Sequence, residues 1–129
     1  MQTNKEILLV ENDDTVRTAL EAEMKQLGHE PVTTWSGIDA LGLLESGRFD
    51  VLLVEDYLPD MYIGDFLERV SQLPVRPKIW LMQASPAQDT RVYGSRCYSV
   101  VSKRDLAQIF QRPGAGTNGV VAGRSGWKH

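Results

Sequence analysis

Short runs of branched apolar residues alternate along the chain with stretches in which apolar residues recur at helical spacing. The two strongest runs, residues 7–10 and 51–54, are uninterrupted, which is typical of parallel strands covered by helices on both faces. Weaker strand-like segments lie at about residues 31–34, 78–82 and 98–101. The stretches between these segments predict helices at about residues 14–27, 36–47, 65–73, 86–94 and 105–111.

This alternation predicts an α/β domain with a five-stranded parallel sheet and helices on both faces. In the flavodoxin-like strand order 2-1-3-4-5, ligands bind at the carboxyl edge between the first and third strands. Both of these strands run into polar residues, which are Glu11, Asn12 and Asp13 after the first strand and Glu55 and Asp56 after the third. Such a cluster repels itself and is tolerable mainly when a hard cation such as Mg²⁺ neutralises it. The pattern therefore predicts a metal-capable site at this edge.

The bulk composition fits one soluble domain without a membrane segment. The 129 residues carry a formal net charge of −3, which gives no electrostatic reason to expect nucleic acid or an anionic membrane as a partner. No apolar stretch has the length of a membrane span or the form of a signal peptide, so we expect a cytoplasmic location. Residues 1–112 form the predicted domain, and the glycine-rich residues 113–129 predict a flexible tail.

Three segments together make the chain resemble the receiver domain of bacterial two-component response regulators, over nearly all of residues 5–111. The segments are residues 7–13 with Val16 and Arg17, residues 49–61, and Ser102 with Lys103. The resemblance implies a flavodoxin-like receiver fold and a signalling domain rather than an enzyme. It implies phosphoryl transfer from a sensor histidine kinase, or contact with another signalling protein, through a face made of the fourth helix, fifth strand and fifth helix. A homodimer is compatible with the resemblance.

The resemblance also assigns roles to positions where this chain carries unusual residues. Glu11 and Asn12 occupy the two acidic positions after the first strand, and Gln83 occupies the Ser/Thr switch position that ends the fourth strand. Lys103 matches the lysine that ends the fifth strand. Asn12 removes one negative charge, and Gln83 lacks a hydroxyl group. With Glu55 at the phosphoacceptor position, these changes favour a degenerate receiver that binds partners without a normal phosphorylation cycle.

The phosphoacceptor position has two candidates. Counting without gaps to the turn at residues 58–59 places Glu55 there, whereas counting back from Gly64 places Asp56 there. We favour Glu55, because strand register and the turn constrain it on both sides. Its additional methylene group would carry the carboxylate toward the phosphoryl position and mimic the phosphorylated state in part. The ligands that the resemblance implies for Mg²⁺, with binding weakened by Asn12, are Glu11, Asn12, Glu55, Asp56 and the backbone carbonyl of Tyr57.

Two other functions share parts of this pattern. Residues 11–15 loosely resemble the Asp-x-Asp-x-Thr nucleophile loop of haloacid-dehalogenase-type phosphatases, but the first position is Glu11 and the chain lacks room for the usual cap. A flavin- or nucleotide-binding module of the same architecture would need a glycine-rich phosphate loop, and none follows Val10. Capping of the first helix is a sufficient explanation for Asp13 and Asp14.

Overall fold

The computed structural model describes residues 5–83 and 98–106. Its strands are β1 (Ile7–Val10), β2 (Val32–Thr34), β3 (Val51–Glu55), β4 (Lys78–Gln83) and β5 (Ser99–Ser102). The helices of these residues are α1 (Asp14–Gln26), α2 (Gly37–Ser46), α3 (Ile63–Ser71) and a short 3-10 helix, Lys103–Asp105. The strands form one parallel sheet in the order β2-β1-β3-β4-β5. The predicted flavodoxin-like order is therefore confirmed.

Apolar side chains cover both faces of the sheet. Because successive side chains of a strand point to opposite faces, the uninterrupted runs of β1 and β3 fill two cores. Buried residues of the core on the side of α2 and α3 include Leu8, Val10, Leu52, Val54 and Phe66. Buried residues of the core on the side of α1 include Ile7, Leu9, Leu20, Met24 and Leu53. Burial on both faces explains why β1 and β3 read as continuous apolar runs.

Capping side chains begin two of the helices. The Asp13 carboxylate accepts hydrogen bonds from the backbone amides of Thr15 and Val16 at the start of α1. Ser36 Oγ accepts a hydrogen bond from the backbone amide of Asp39 at the start of α2. These bonds satisfy amide groups that have no partner inside the helix. The capping role predicted for Asp13 is therefore confirmed.

Two other helix boundaries depend on glycine and on burial. α1 is followed by Gly28, whose φ of 95° is a left-handed conformation that glycine adopts without steric cost. α3 begins at Ile63, two residues before the predicted start at Asp65. The prediction was wrong here because Ile63 and Gly64 are buried and lengthen the helix toward the core, although Tyr62 supplies no capping side chain.

Part of the prediction lies outside the described residues, namely the helix at residues 86–94, residues 107–111 of the last helix, and the tail at residues 113–129. The division at residue 112 accordingly stays a prediction. Within the described part, the 3-10 helix begins at Lys103, two residues before the predicted start of the last helix. None of the helices in residues 5–83 and 98–106 is long and apolar enough to cross a membrane.

Candidate functional site

Parallel pairing brings the carboxyl ends of β1 and β3 together at one edge of the sheet. Val10 lies beside Val54 in the register, so Glu11 and Glu55, the next residues, are neighbours. Glu11 and Glu55 are only 1% and 5% exposed. Two neighbouring carboxylates that are removed from water need a positive charge or several hydrogen bonds nearby.

Lys103 supplies that positive charge. It follows β5 directly, and its Nζ atom lies 3.0 Å from Glu11 Oε1 and 3.6 Å from Glu55 Oε1. The contact with Glu11 is an ion pair, since Glu11 Oε1 receives no hydrogen bond of regular geometry. We call Glu11, Glu55 and Lys103 the charged cluster. The structure thus brings together three of the residues that the sequence predicted for the site.

Backbone groups hold the second oxygen atom of each carboxylate. The Asn12 amide donates a hydrogen bond to Glu55 Oε2, and the Asp13 amide donates one of 3.1 Å to Glu11 Oε2. The backbone of Glu11 is also fixed, because its amide donates to Thr34 at 3.0 Å and its carbonyl accepts from Arg17 Nη1 at 3.0 Å. The loop after β1 therefore orients the cluster mainly through its backbone.

The surroundings of Glu55 favour its protonated form. Burial raises the pKa of Glu55 to about 7 from an ordinary value of 4.5, and the neighbouring Glu11 carboxylate acts in the same direction. The hydrogen bond from the Asn12 amide and the charge of Lys103 lower this pKa, but they do not cancel the effect of burial. Glu55 consequently takes up a proton closer to neutral pH than an exposed glutamate does.

In this arrangement a magnesium ion at the charged cluster would have to share the Glu11 and Glu55 carboxylates with Lys103. Mg²⁺ requires oxygen ligands in near-octahedral geometry, and no group of three His, Cys, Asp or Glu side chains in residues 5–83 and 98–106 is placed to hold a metal. The ammonium group of Lys103 already lies against Glu11 and Glu55. Asn12 directs its backbone N–H group toward Glu55. The binding of Mg²⁺ at this cluster therefore stays a prediction.

The structure places two other predicted residues next to this cluster in the chain. Asp56 is half-buried, and its backbone amide donates a 3.1 Å hydrogen bond to the Met82 carbonyl, which continues the pairing of β3 with β4. Tyr57, which was predicted to offer its carbonyl to a metal, has an exposed side chain. Their roles as metal ligands stay predictions.

Gln83 is buried at the end of β4, beside Ser102 of β5 in the register. Met82 pairs with Glu55, so strand alternation directs the next residue, Gln83, to the face opposite Glu55. Its Oε1 atom accepts no hydrogen bond from the described residues. The amide group therefore lies at the predicted strand end, on the face of the sheet away from Glu55.

Sequence reasoning missed Asp60, which lies between β3 and α3. Its carboxylate accepts hydrogen bonds from Ser36 Oγ at 2.7 Å and from the backbone amides of Gly37 and Ile38 at 2.9 and 3.1 Å. Burial alone would raise the pKa of Asp60, but these hydrogen bonds outweigh it and lower the pKa below its usual value. An acidic residue at the N-terminus of a helix is favourable. Asp60, however, lies more than 20 residues after the start of α2, and no local sequence pattern shows that it reaches this helix.

Comparison with known proteins agrees with this architecture. No family model matches the chain. The transcriptional regulatory protein AfsQ1 of Streptomyces coelicolor is 38% identical to it over 72 residues, which are 54% of this chain and 32% of AfsQ1. The chain thus spans about a third of the length of the curated relative it matches.

Similar solved structures include receiver domains. The receiver domain of the sensor histidine kinase PA1611 from Pseudomonas aeruginosa, which has magnesium in its active-site cleft, superposes with a TM-score of 0.73 and 24% identity over 85% of this chain and 97% of that one. A CheY-like receiver domain from Methylobacillus flagellatus superposes with a TM-score of 0.68 and 19% identity, and the match covers 84% of this chain and 98% of that one. A chain of the complex between histidine kinase ThkA and response regulator TrrA superposes with a TM-score of 0.68 and 22% identity, and the match covers 76% of this chain and 84% of that one. The fold is therefore that of response regulator receiver domains, and the similarity to AfsQ1 supports the same resemblance in sequence.

Proposed function

We propose that this chain is a receiver-type domain of a two-component system that acts through protein contacts and has lost the normal phosphorylation cycle. The observation that carries the proposal is the buried Glu55 at the predicted acceptor position, with one oxygen atom bonded to the Asn12 amide and the other facing Lys103. The fold and the similarity to AfsQ1 support the signalling class. The charged cluster supports the loss of the chemistry, and the chain acts as a non-enzymatic module.

Formation of an acyl phosphate requires a free carboxylate that attacks phosphorus, with the developing charge screened by cations. In this chain Glu55 Oε2 accepts a hydrogen bond from the Asn12 amide, and Oε1 faces Lys103. Burial also favours the protonated carboxyl group of Glu55 near neutral pH, and a protonated group is a poor nucleophile. Each of these effects reduces the rate at which Glu55 would accept a phosphoryl group.

Magnesium binding is weak in the same proposal. A bound Mg²⁺ would supply charge neutralisation between Glu11, Glu55 and an incoming phosphate, and it would have to compete with Lys103 for the Glu11 carboxylate. The amide of Asn12 offers a neutral oxygen atom where an aspartate would offer a negative one. The magnesium in the PA1611 receiver shows that the fold accommodates this ion in another chain.

The partner that we propose is a sensor histidine kinase or another signalling protein. The complex of ThkA with TrrA supports a kinase as the general class of partner. The face predicted for this contact comprises the fourth helix, β5 and the fifth helix. Of these elements the structure describes β5 and the start of the segment after it, and Val100 on β5 is exposed.

Mass spectrometry after incubation with acetyl phosphate and magnesium tests this function. We expect no gain of a phosphoryl group in the unaltered chain, because both oxygen atoms of Glu55 are engaged. The double variant Glu55→Asp with Asn12→Asp, which introduces the usual acidic residues of the resemblance, serves as the matched comparison and is expected to gain mass. A mass gain in the unaltered chain that is lost in Glu55→Gln or in Asp56→Asn would overturn the proposal and identify the acceptor.

A further inference from the structure

The starts of α2 and α3 present large apolar side chains to solvent. Trp35, Ile38 and Tyr62 are 52%, 63% and 58% exposed, and we call these three residues the apolar rim. Trp35 and Ile38 flank the N-terminus of α2, and Tyr62 precedes α3. Surface residues of this size are common singly, but a group of them at one place indicates a contact site.

Direct contacts bring the two parts of the rim together. Asp60, two residues before Tyr62, accepts a 3.1 Å hydrogen bond from the backbone amide of Ile38. Met61 packs against Gly37 so closely that a Cβ atom on Gly37 would lie 2.9 Å from Met61 Cγ. The loop that carries Tyr62 is therefore fixed against the start of α2, and the rim is a preformed surface.

The segments that carry the rim also carry acidic residues. Asp39 and Asp65 are exposed residues in the first turns of α2 and α3, and Asp60 lies between these turns with its pKa lowered by hydrogen bonds. The sequence contains no lysine or arginine between Lys25 and Arg48, and none between Arg48 and residue 69. The charged side chains that these two segments place near the rim are therefore acidic.

We propose that the apolar rim docks a positively charged segment of a partner protein that also carries apolar side chains. Aromatic residues contribute large shares of binding energy in protein interfaces, and the acidic surroundings of Trp35, Ile38 and Tyr62 attract and orient a basic segment. The rim is separate from the charged cluster and from the predicted face at β5. The inference thus goes beyond the proposed function, and it holds whether or not Glu55 accepts a phosphoryl group.

Fluorescence anisotropy of a short fluorescein-labelled peptide of lysine and leucine tests the inference on the full chain. We expect saturable binding that weakens at least about tenfold in Trp35→Ser and in Ile38→Ser, which remove contact area. Asp39→Asn combined with Asp65→Asn is expected to weaken binding and to reduce its dependence on salt. Val75→Ser is the matched control, because Val75 is also exposed, at 54%, but lies outside the rim; it should bind as the unaltered chain does.

Three results would overturn the inference. The first is equal binding by Val75→Ser and the rim variants, which would show a general attraction to an acidic protein. The second is equal binding of a peptide of glutamate and leucine, which would remove the role of charge. The third is tighter binding when Arg124 and Lys128 are changed to Gln, which would show that the chain's own C-terminal segment is the occupant. Circular dichroism of each variant separates these results from unfolding.

Discussion

Glu11 and Glu55 share one cation, Lys103, and this sharing governs the properties of each carboxylate. The distances of 3.0 and 3.6 Å leave Lys103 closer to Glu11, and the burial of Glu55 raises its pKa to about 7. The meeting of these three residues could be predicted, because all of them follow parallel strands at one edge. The raised pKa of Glu55 could not be predicted from the sequence, since it depends on the burial of the side chain and on its hydrogen bond with the Asn12 amide.

Stability should fall as the pH rises through the range in which Glu55 loses its proton. The pKa of Glu55 is about 7 in the folded chain and 4.5 ordinarily, so the folded state binds more protons than the unfolded state between these values. The contribution of Glu55 to the free energy of unfolding should therefore be highest below about pH 4.5. It should decrease by about 1–3 kcal/mol as the pH rises to 8.

Urea unfolding across this range measures the slope. Glu55→Gln removes the titrating group and should flatten the curve, whereas Glu68→Gln, at an exposed position of α3, should leave it as in the unaltered chain. A slope that is the same in Glu55→Gln and in the unaltered chain would contradict the assignment of this titration to Glu55.

At the scale of elements, Asp60 joins the loop after β3 to the start of α2. It adds a carboxylate to a helix N-terminus that Ser36 already caps, and such a charge is favourable there. The strand order could be predicted because apolar runs and helical stretches alternate in the sequence. The early start of α3 and the contact of Asp60 could not, because both arise from tertiary packing between distant segments.

Asp60→Ala should loosen α2 at its first turn. It removes the acceptor of the bonds from Ser36 and from the amides of Gly37 and Ile38, and capping groups are worth about 1–2 kcal/mol. Hydrogen exchange should become faster at these two amides, with a matching loss in the free energy of unfolding. Asp39→Ala is the control, because its carboxylate makes none of these three bonds. Equal exchange rates in both variants would refute the role of Asp60.

At the scale of the whole molecule, the carboxyl edge of the sheet carries both the charged cluster and the apolar rim. In our proposal the cluster determines whether phosphoryl chemistry occurs, and the rim binds a partner independently of that chemistry. The general class could be predicted from the order and spacing of the segments after β1, β3 and β5. The rim could not, because the burial and exposure of Trp35 and Tyr62 depend on how the loops pack.

The most direct test of the account compares thermal unfolding in magnesium chloride with unfolding in EDTA. Because the ammonium group of Lys103 already lies against both Glu11 and Glu55, the unaltered chain should unfold at the same temperature in both buffers. Lys103→Met should lower the midpoint in EDTA, since it leaves two buried acids without a counter-ion, and should recover stability with magnesium. Lys25→Met, which removes only an exposed pair with Glu21, is the control. Clear stabilisation of the unaltered chain by magnesium, of the size expected for a ligand well above its Kd (about 2.7 kcal/mol at 100 Kd), would contradict the account.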